Sequence, residues 1–279
     1  MTAPKTIVIT GASDGIGAAG ARQLHQKGHT VVIVGRSPEK TRAVARELGV
    51  DHVVADFSRL DDVRALAEKL QARHPHIDVL ANNAGGVFGA KTMTTDGFEQ
   101  TLQVNHLAPF LLTNLLHTTL VASRATVIQT ASVAARLFGR LDVGDLNNDR
   151  RYTPNKAYGD AKLANILFTR ELHNRSHAVG INAVAFHPGF IRSGFAGATS
   201  SNAMKLIYQN PLVIRFLSTS ETGASQMVWL AESTPTTQWS PGKYYEKHAV
   251  ATRVNPQSLS DDLAHQLWTT SAAMTGVTP

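Results

Sequence analysis

Short apolar, β-rich runs alternate with helical patterns along most of this 279-residue chain. Each run is continuous rather than alternating, which is typical of strands buried on both faces of a parallel sheet. The six predicted strands are TIVIT (6–10), TVVIVG (30–35), HVVAD (52–56), IDVLANN (77–83), ATVIQTAS (125–132) and INAVAFHPG (181–189). The helical segments between them include residues 15–27, 38–48, 60–73 and 98–121.

Strand–helix alternation with short connections predicts an α/β fold, in which a doubly wound, mostly parallel sheet is covered by helices on both faces. The run GKYYE (242–246) adds a seventh strand. No repeat, low-complexity tract or linker marks a second domain. We therefore expect residues 1–279 to form one domain.

Two regions do not follow this alternation of strands and helices. Residues 133–155 are polar and turn-rich, and residues 190–220 combine small residues with an apolar, helix-like piece interrupted at Pro211. Each region follows a predicted strand, and ligands of open α/β sheets bind beyond the carboxyl ends of the strands. Both regions are therefore candidates for substrate contacts.

Composition and charge narrow the functional classes. The chain has no cysteine, which excludes disulfides, thiolate metal sites and a thiol nucleophile, and suits a reducing cytoplasm. The net charge of +6 is spread along the chain, so we expect it to attract an anionic small ligand or simply to be solvated, rather than to bind nucleic acid. We find no membrane span, no signal peptide and no metal-ligand spacing, and predict no membrane partner and no metal.

The segment TGASDGIG (10–17) follows the first predicted strand and has the character of a phosphate-binding turn. Glycines allow a sharp strand-to-helix turn and let backbone N–H groups approach a pyrophosphate. The overlapping GIGAAG (15–20) also matches a dinucleotide pattern, but it begins inside the helix. The alternative is a tight turn that binds nothing. The predicted cofactor contacts in this turn are Gly11, Ser13, Asp14, Gly15, Ile16 and Gly17.

The end of the second strand bears on the choice of cofactor. An acidic residue there would bind the ribose hydroxyls of NAD(H), whereas this chain has Arg36 and Ser37. A guanidinium and a hydroxyl suit a 2′-phosphate, so NADP(H) is favoured, with NAD(H) as the alternative. Arg36 could equally be a solvated loop residue, and Asp14 is unfavourable for an added phosphate. Asp56, followed by Phe57, could accept from the adenine amino group or cap the next helix.

Tyr158 and Lys162 lie four residues apart in AYGDAKLANILF, so a helix places them on one face. A tyrosine hydroxyl has an ordinary pKa of about 10, which is too high for ready proton exchange near neutrality. A neighbouring ammonium favours the phenolate. The pair is therefore a candidate general acid/base with its electrostatic partner, although helices form such pairs by chance.

These motifs occur together with others in a fixed order. TGASDGIG is followed by NNAG (82–85), Asn105 in VNHLAPF, Ser132 in QTAS, Tyr158-x-x-x-Lys162 and HPGFIRS (187–193). In this order and over nearly the whole chain, they resemble the short-chain dehydrogenase/reductase family. AKLANILFTREL, the long interval from Ser132 to Tyr158 and GKYYEKHAV resemble its branch of retinol dehydrogenases, the WW-domain oxidoreductase and protochlorophyllide reductase.

The resemblance implies a seven-stranded, NAD(P)-binding Rossmann domain and assigns roles within it. Ser132 would orient the substrate oxygen, Asn105 would organise a water linked to Lys162, and Lys162 would also hold the nicotinamide ribose. Many relatives in this branch have a second serine where Ala131 stands, and many members of the family have threonine where Ser193 stands. The further cofactor contacts implied are Asn83, Ala84, Gly85, Tyr158, Lys162, Pro188, Gly189, Ile191 and Ser193.

The leading hypothesis is an NADP(H)-dependent carbonyl reductase or alcohol dehydrogenase with a fairly apolar substrate. Residues 204–217 would cover that substrate as a lid. A nucleotide-binding sensor or scaffold on the same fold is the alternative, although the retained Asn105, Ser132, Tyr158 and Lys162 argue against it. An isomerase or dehydratase of the extended relatives would need a larger C-terminal region. Dimers and tetramers are common in the family, so the resemblance allows a homodimer or a homotetramer without deciding between them and a monomer.

Overall fold

The computed structural model describes residues 3–189 and 219–278. Eight strands form one sheet in the order β3-β2-β1-β4-β5-β6-β7-β8. Neighbouring strands are parallel except for the β7–β8 pair, which is antiparallel. The strands are β1 Thr6–Thr10, β2 Thr30–Gly35, β3 His52–Val54, β4 Val79–Asn82, β5 Thr126–Thr130, β6 Asn182–His187, β7 Tyr244–Glu246 and β8 Ala249–Val250.

The predicted α/β fold is confirmed, with one correction to the number of strands. All seven predicted strands are present, several of them shorter than their apolar runs, and β8 is an eighth. Both residues of β8 are exposed. A strand of two exposed residues has no apolar run and therefore gives no sequence signal.

Helices cover both faces of the sheet. Val8 of β1 belongs to a buried cluster with helical residues in 63–70 and 110–112, whereas its neighbours Ile7 and Ile9 pack on the other face with helical residues in 18–24 and 227–231. The α-helices are α1 Gly15–Gln26, α2 Pro38–Leu48, α3 Leu60–Arg73, α4 Gln100–Leu102, α5 Ala108–Leu115, α6 His117–Ala122, α7 Ala134–Leu137, α8 Pro154–Ser176, α9 Ser220–Glu232 and α10 Asp261–Thr275. A π-helix, Gln103–Leu107, and a 3₁₀-helix, Pro256–Leu259, complete the described elements.

The predicted helix over residues 98–121 is broken in the structure. It consists of α4, the π-helix, α5 and α6. Pro109 lies in the first turn of α5 and has no amide hydrogen to donate to the preceding turn, and the amide of Ala108 donates to the carbonyl of Gln103, five residues back. The π-helix contains Asn105, one of the predicted site residues.

No helix within residues 3–189 and 219–278 combines the length and the apolar character needed to cross a membrane.

Candidate active site

The predicted site residues converge at the carboxyl ends of the central strands. The glycine turn follows β1, Asn83 to Gly85 follow β4, Ser132 follows β5, and Pro188 and Gly189 follow β6. These four strands are consecutive neighbours in the sheet. Parallel strands present their carboxyl ends at one edge, so segments that are distant in sequence meet there.

The glycines of the turn are required by close backbone contacts. Gly11 has a φ of 66°, and a Cβ atom on it would lie 2.7 Å from the Cα of Ala84. A Cβ on Gly17 would collide with the carbonyl oxygen of Gly11. Helix α1 begins at Gly15, whose amide donates to Asp14 Oδ1 at 2.7 Å. The turn therefore has the tight backbone that a pyrophosphate needs for close approach.

Thr10, which the sequence reasoning missed, joins the glycine turn to the loop after β4. Its hydroxyl accepts from the amides of Asn83 and Ala84, each at 3.0 Å. The Asn83 side chain donates back to the carbonyl of Thr10 at 3.0 Å. A threonine that ends a strand just before the first glycine was the available signal. This bonding holds two predicted cofactor loops in a fixed relation.

The turn after β2 packs against the glycine turn. A Cβ on Gly35 would lie 2.8 Å from the Cβ of Ser13. The Asp14 carboxylate forms an ion pair with Lys40 at 2.8 Å. Hydrogen bonds from Lys40 and from the amide of Gly15 lower the pKa of Asp14. Arg36 is exposed in this turn, and no ion pair within the described ranges engages it. The charge of Asp14 is therefore offset, and the guanidinium of Arg36 is available to a ligand.

Asp56 does not cap the helix after it. Its Oδ1 atom accepts from the amide and the hydroxyl of Ser58, at 3.0 and 2.8 Å. The first amide of α3, that of Leu60, donates instead to Asp96 Oδ2 at 2.9 Å. The capping alternative is therefore wrong, since a residue 36 positions away in the sequence supplies the cap. The Phe57 side chain is buried in the hydrophobic core, and its carbonyl accepts from Gln103 Nε2 at 3.3 Å.

Lys162 is a buried cation on α8. Its Nζ atom donates to the carbonyl of Thr130 at 3.0 Å and lies 5.5 Å from the centroid of the Tyr158 ring. Burial lowers the pKa of Lys162 to about 7. Desolvation penalises the ammonium and here dominates the shift. The lysine can consequently gain or lose a proton near neutral pH.

Asn105 is fully buried in the π-helix, and it and Lys162 both lie close to Gly85. Its Nδ2 donates to the carbonyls of Gly86 and Thr101, each at 2.9 Å, and its Oδ1 accepts from the Gly86 amide at 3.1 Å. A Cβ on Gly85 would meet Asn105 Oδ1 and would lie 3.1 Å from Lys162 Nζ. The absence of a side chain at Gly85 therefore lets the asparagine and the lysine come together, in a space where the backbone is open to a cofactor.

Ser132 and Tyr158 are half-buried at the entrance to this space. Ser132 lies two residues beyond β5, and its hydroxyl accepts from the amide of Ala134 at 3.2 Å. Tyr158 lies in the second turn of α8, which begins after the N-cap Thr153. Ala131 is 1% exposed and packs in an apolar cluster, which explains why an apolar residue replaces the second serine there.

The segment 133–155 is held firmly against α8. The amide of Arg140 donates to Asp160 Oδ1 at 2.6 Å, and Lys156 Nζ of α8 donates to the carbonyl of Arg140 at 3.4 Å. Within the segment, α7 begins two residues after Ser132 and ends at Leu137, which is exposed, as is the following Phe138. The segment thus exposes apolar side chains close in sequence to Ser132.

Two predicted contacts and the predicted lid lie outside the described residues. Pro188 and Gly189 are at the end of β6, and Gly189 has a φ of 91°. Ile191, Ser193 and the segment 204–217 belong to residues 190–218, which the structure does not describe. In the ranges 3–189 and 219–278, no three histidine, aspartate or glutamate side chains are grouped so as to hold a metal ion.

Comparison with known proteins places this geometry among dehydrogenases and reductases. A family model described as short chain dehydrogenase matches residues 5–203. A Streptomyces sp. (strain C5) protein named "Putative daunorubicin C-13 ketoreductase DnrU" is 42% identical over 282 residues, which cover 98% of this chain and 93% of the relative. Human retinol dehydrogenase 12 is 36% identical over 281 residues, which cover 98% of this chain and 87% of the relative.

A solved structure resembles the fold in the same way. It is described as a "putative NAD(P) dependent gluconate 5-dehydrogenase" from Beutenbergia cavernae with bound NADP at low occupancy. The two proteins superpose with a TM-score of 0.63 at 25% sequence identity, over 83% of this chain and 91% of the other. The likeness therefore extends over most of both chains.

Proposed function

The chain belongs to the short-chain dehydrogenase family, and from this premise we propose that it is an NADP(H)-dependent oxidoreductase acting on a carbonyl or alcohol group of a fairly apolar small molecule. The observation that carries the proposal is the buried Lys162, 5.5 Å from the ring centroid of Tyr158. Burying an ammonium is unfavourable. A lysine that has no carboxylate partner among residues 3–189 and 219–278 is better explained by proton chemistry than by stability.

Each side chain has a defined task in the reduction of a carbonyl. When bound, the nicotinamide cofactor supplies the hydride that adds to the carbonyl carbon. Tyr158 donates its phenolic proton to the carbonyl oxygen, and Ser132 donates a hydrogen bond that orients this oxygen. The ammonium of Lys162 stabilises the phenolate that results. In the direction of alcohol oxidation, the phenolate takes the proton back.

Asn105 and Lys162 support the return of a proton to Tyr158. Because the pKa of Lys162 is lowered to about 7, this lysine exchanges protons readily at neutral pH. Asn105 is bonded to the backbone on both sides of its amide, through Gly86 and Thr101, and so its position is fixed. We assign it the role of fixing the loop at Gly86 and the turn at Thr101 beside Lys162.

The preference for NADP(H) rests on the charge around the turn after β2. Arg36 is exposed there, and Lys40 offsets the carboxylate of Asp14. A surface cavity at Ser37 is lined by Arg42 and Arg46, which outnumber its one carboxylate, that of Glu39. Several cations and a hydroxyl suit the 2′-phosphate of NADP(H) better than the bare ribose of NAD(H). The bound NADP of the Beutenbergia cavernae structure supports the same choice.

The apolar substrate class rests on the segment after β5. Leu137 is 56% exposed and Phe138 is 39% exposed, close in sequence to Ser132. Exposed large apolar side chains beside a candidate site favour an apolar ligand. The names of the two relatives, which refer to daunorubicin and retinol, support bulky, apolar carbonyl compounds as the first substrates to try.

The proposal is tested by following oxidation of NADPH and of NADH with a panel of aldehydes, ketones, quinones and retinoid-like carbonyls. We expect turnover of at least one apolar ketone or aldehyde, with NADPH preferred. The Tyr158→Phe variant should bind NADPH normally and lose roughly 100-fold or more in kcat. Tight NADPH binding without turnover of any carbonyl would favour a sensor instead, and near-normal kcat in Tyr158→Phe would remove Tyr158 from the mechanism.

A further inference from the structure

A line of buried polar side chains is connected to Lys162 through the carbonyl of Thr130. Ser271 is on α10, His106 is in the π-helix next to Asn105, and Asn165 is on α8, one turn beyond Lys162. Their exposed fractions are 0%, 1% and 2%. Buried polar groups are costly unless they form hydrogen bonds, so three of them in one line need an explanation.

The two ends of this line form defined hydrogen bonds. At one end, Ser271 Oγ lies 2.9 Å from His106 Nε2. At the other end, Asn165 Nδ2 donates to the carbonyl of Thr130 at 3.4 Å. The same carbonyl accepts from Lys162 Nζ at 3.0 Å. One backbone oxygen is therefore shared by Asn165 and Lys162.

The middle of the line has complementary atoms. Within the part of the chain that the structure describes, His106 Nδ1 and Asn165 Oδ1 have no hydrogen-bond partner inside 3.5 Å. The two side chains face each other, and Asn165 is the polar group that favours a proton on the imidazole. An imidazole N–H is a donor and an amide oxygen is an acceptor, so the two atoms have the chemistry for a hydrogen bond.

The protonation state of His106 sets the direction of these bonds. Burial lowers the pKa of His106 to about 4, so the imidazole is neutral at physiological pH. A neutral imidazole has one donor nitrogen and one acceptor nitrogen. If the Ser271 hydroxyl donates to Nε2, the proton is on Nδ1, where it points to Asn165 Oδ1.

We propose that Ser271, His106 and Asn165 form a buried hydrogen-bond chain that holds the Thr130 carbonyl, and through it Lys162, in the position needed for catalysis. His106 and Asn165 are then positioning residues for the reaction under "Proposed function", on which this inference rests. The chain also ties α10 to the π-helix that contains Asn105. Proton transfer depends steeply on geometry, so a small displacement of Lys162 lowers kcat.

Packing alone does not account for these residue types. His106 lies among aromatic rings, with centroids 6.1 Å from Phe110 and 6.3 Å from Phe168. A leucine or phenylalanine would fill such a site without the cost of burying a polar ring. Asn165 is also a poor helix former in the interior of a long helix. The hydrogen bonds that lead toward Lys162 explain more simply why a histidine stands at 106 and an asparagine at 165.

Two substitutions of His106 distinguish the hydrogen bond from His106 to Asn165 from the hydrogen bond between His106 and Ser271. In His106→Asn, the amide nitrogen takes the place of Nδ1 and still reaches Asn165, whereas the longer side chain in His106→Gln takes the place of Nε2 and keeps Ser271. We expect kcat to stay within about threefold in His106→Asn and to fall by about tenfold or more in His106→Gln and in Asn165→Leu. The NADPH dissociation constant, measured by fluorescence, should not change in any of them.

The matched control is Asn114→Leu. Asn114 lies on α5, where its side chain donates to the carbonyl of Phe110 in the same helix at 2.8 Å, and no hydrogen bond among the described residues connects it to Lys162. This variant should keep kcat and the pH profile of kcat, while Asn165→Leu should shift that profile. Equal kcat in His106→Asn and His106→Gln would overturn the proposal, as would losses that follow the thermal stability of the variants.

A measurement without turnover tests the same bonds. The ¹⁵N NMR shifts of His106, assigned by their absence in His106→Asn, report which ring nitrogen has the proton. The Nδ1–H tautomer is expected, and the Nε2–H tautomer would overturn the chain whether or not a substrate is known. If the wild type reduces carbonyls and Tyr158→Phe does not, but His106→Gln is fully active, only this inference fails and the proposed function stands.

Discussion

The carboxylate of Asp14 and the ammonium of Lys40 form an ion pair of 2.8 Å that joins the glycine turn to the first turn of α2. Both side chains are more than half exposed. Such a pair contributes little to stability, so either partner can be given up to a stronger ligand at small cost. In the proposed enzyme, Lys40 can therefore leave Asp14 and bind the 2′-phosphate of the cofactor.

Arg36→Asp should reverse part of the cofactor preference. The guanidinium would be replaced by a carboxylate that repels a 2′-phosphate and accepts from ribose hydroxyls. We expect the ratio of kcat/KM for NADPH to that for NADH to fall by about tenfold or more. Arg73→Asp, with the same charge change at the end of α3, is the control and should leave the ratio unchanged. An unchanged ratio in Arg36→Asp would remove Arg36 from cofactor recognition.

Asp14→Asn should strengthen NADPH binding. Asparagine is as good an N-cap as aspartate, so the start of α1 at Gly15 is kept. The substitution removes a negative charge near the phosphates and releases Lys40. We expect the NADPH dissociation constant to fall by roughly two- to fivefold at low salt, with a smaller effect for NADH. Weaker binding of NADPH would show that the carboxylate itself contributes to the site.

Lys162→Met should stabilise the cofactor-free protein while it abolishes turnover. In the folded state the pKa of Lys162 is lowered from 10.5 to about 7, so the unfolded chain binds this proton more tightly. The free-energy cost of burying the Lys162 ammonium on folding is therefore largest below pH 7 and disappears as the pH rises toward 10.5. We expect the gain in free energy of unfolding to be roughly 3 kcal/mol larger at about pH 6.5 than at about pH 9.5.

Urea unfolding of the wild type and of Lys162→Met at these two pH values measures this difference. The comparison of the two proteins at each pH cancels all other titrating groups that they share. A gain that does not depend on pH would mean that methionine simply packs better. A loss of stability at both pH values would mean that the bond from Lys162 to Thr130 outweighs the cost of burial.

Gly85→Ala should impair catalysis with little effect on the fold outside the site. The added methyl group would press on Asn105 Oδ1 and would lie 3.1 Å from Lys162 Nζ. We expect kcat to fall by about tenfold or more, because both side chains must move. Gly86→Ala is the matched control, since a Cβ there would meet only the tip of the Phe88 ring, at 3.6 Å. Equal kcat in the two variants would contradict the close approach at Gly85.

Much of the scaffold can be predicted from the sequence because local signals agree with one another. Helix α2 begins and ends where expected, with Ser37 as its N-cap, Pro38 in its first turn and Gly49 in a left-handed conformation after its last residue. The continuous apolar run TVVIVG corresponds to β2 to the residue. Such elements need no knowledge of distant contacts.

The parts that could not be predicted depend on backbone atoms and on partners far away in the sequence. The Thr130 carbonyl accepts from Lys162, 32 residues later, and a carbonyl has no residue-specific signal. Asp96 caps α3 across 36 residues, and Lys40 reaches Asp14 across 26. The pairs are set by the order of strands in the sheet, which local patterns do not encode.

The π-helix at Gln103–Leu107 also makes the site sensitive to the insertion or deletion of a residue in this turn. A π-turn contains one residue more than an α-turn, so α5 is rotated by about 100° relative to an uninterrupted continuation of α4. Removal of one residue from this turn would restore a regular α-helix and would turn Asn105 or His106 away from its partners. In this region, a deletion that improves the helix would be more damaging to the site than a substitution that weakens it.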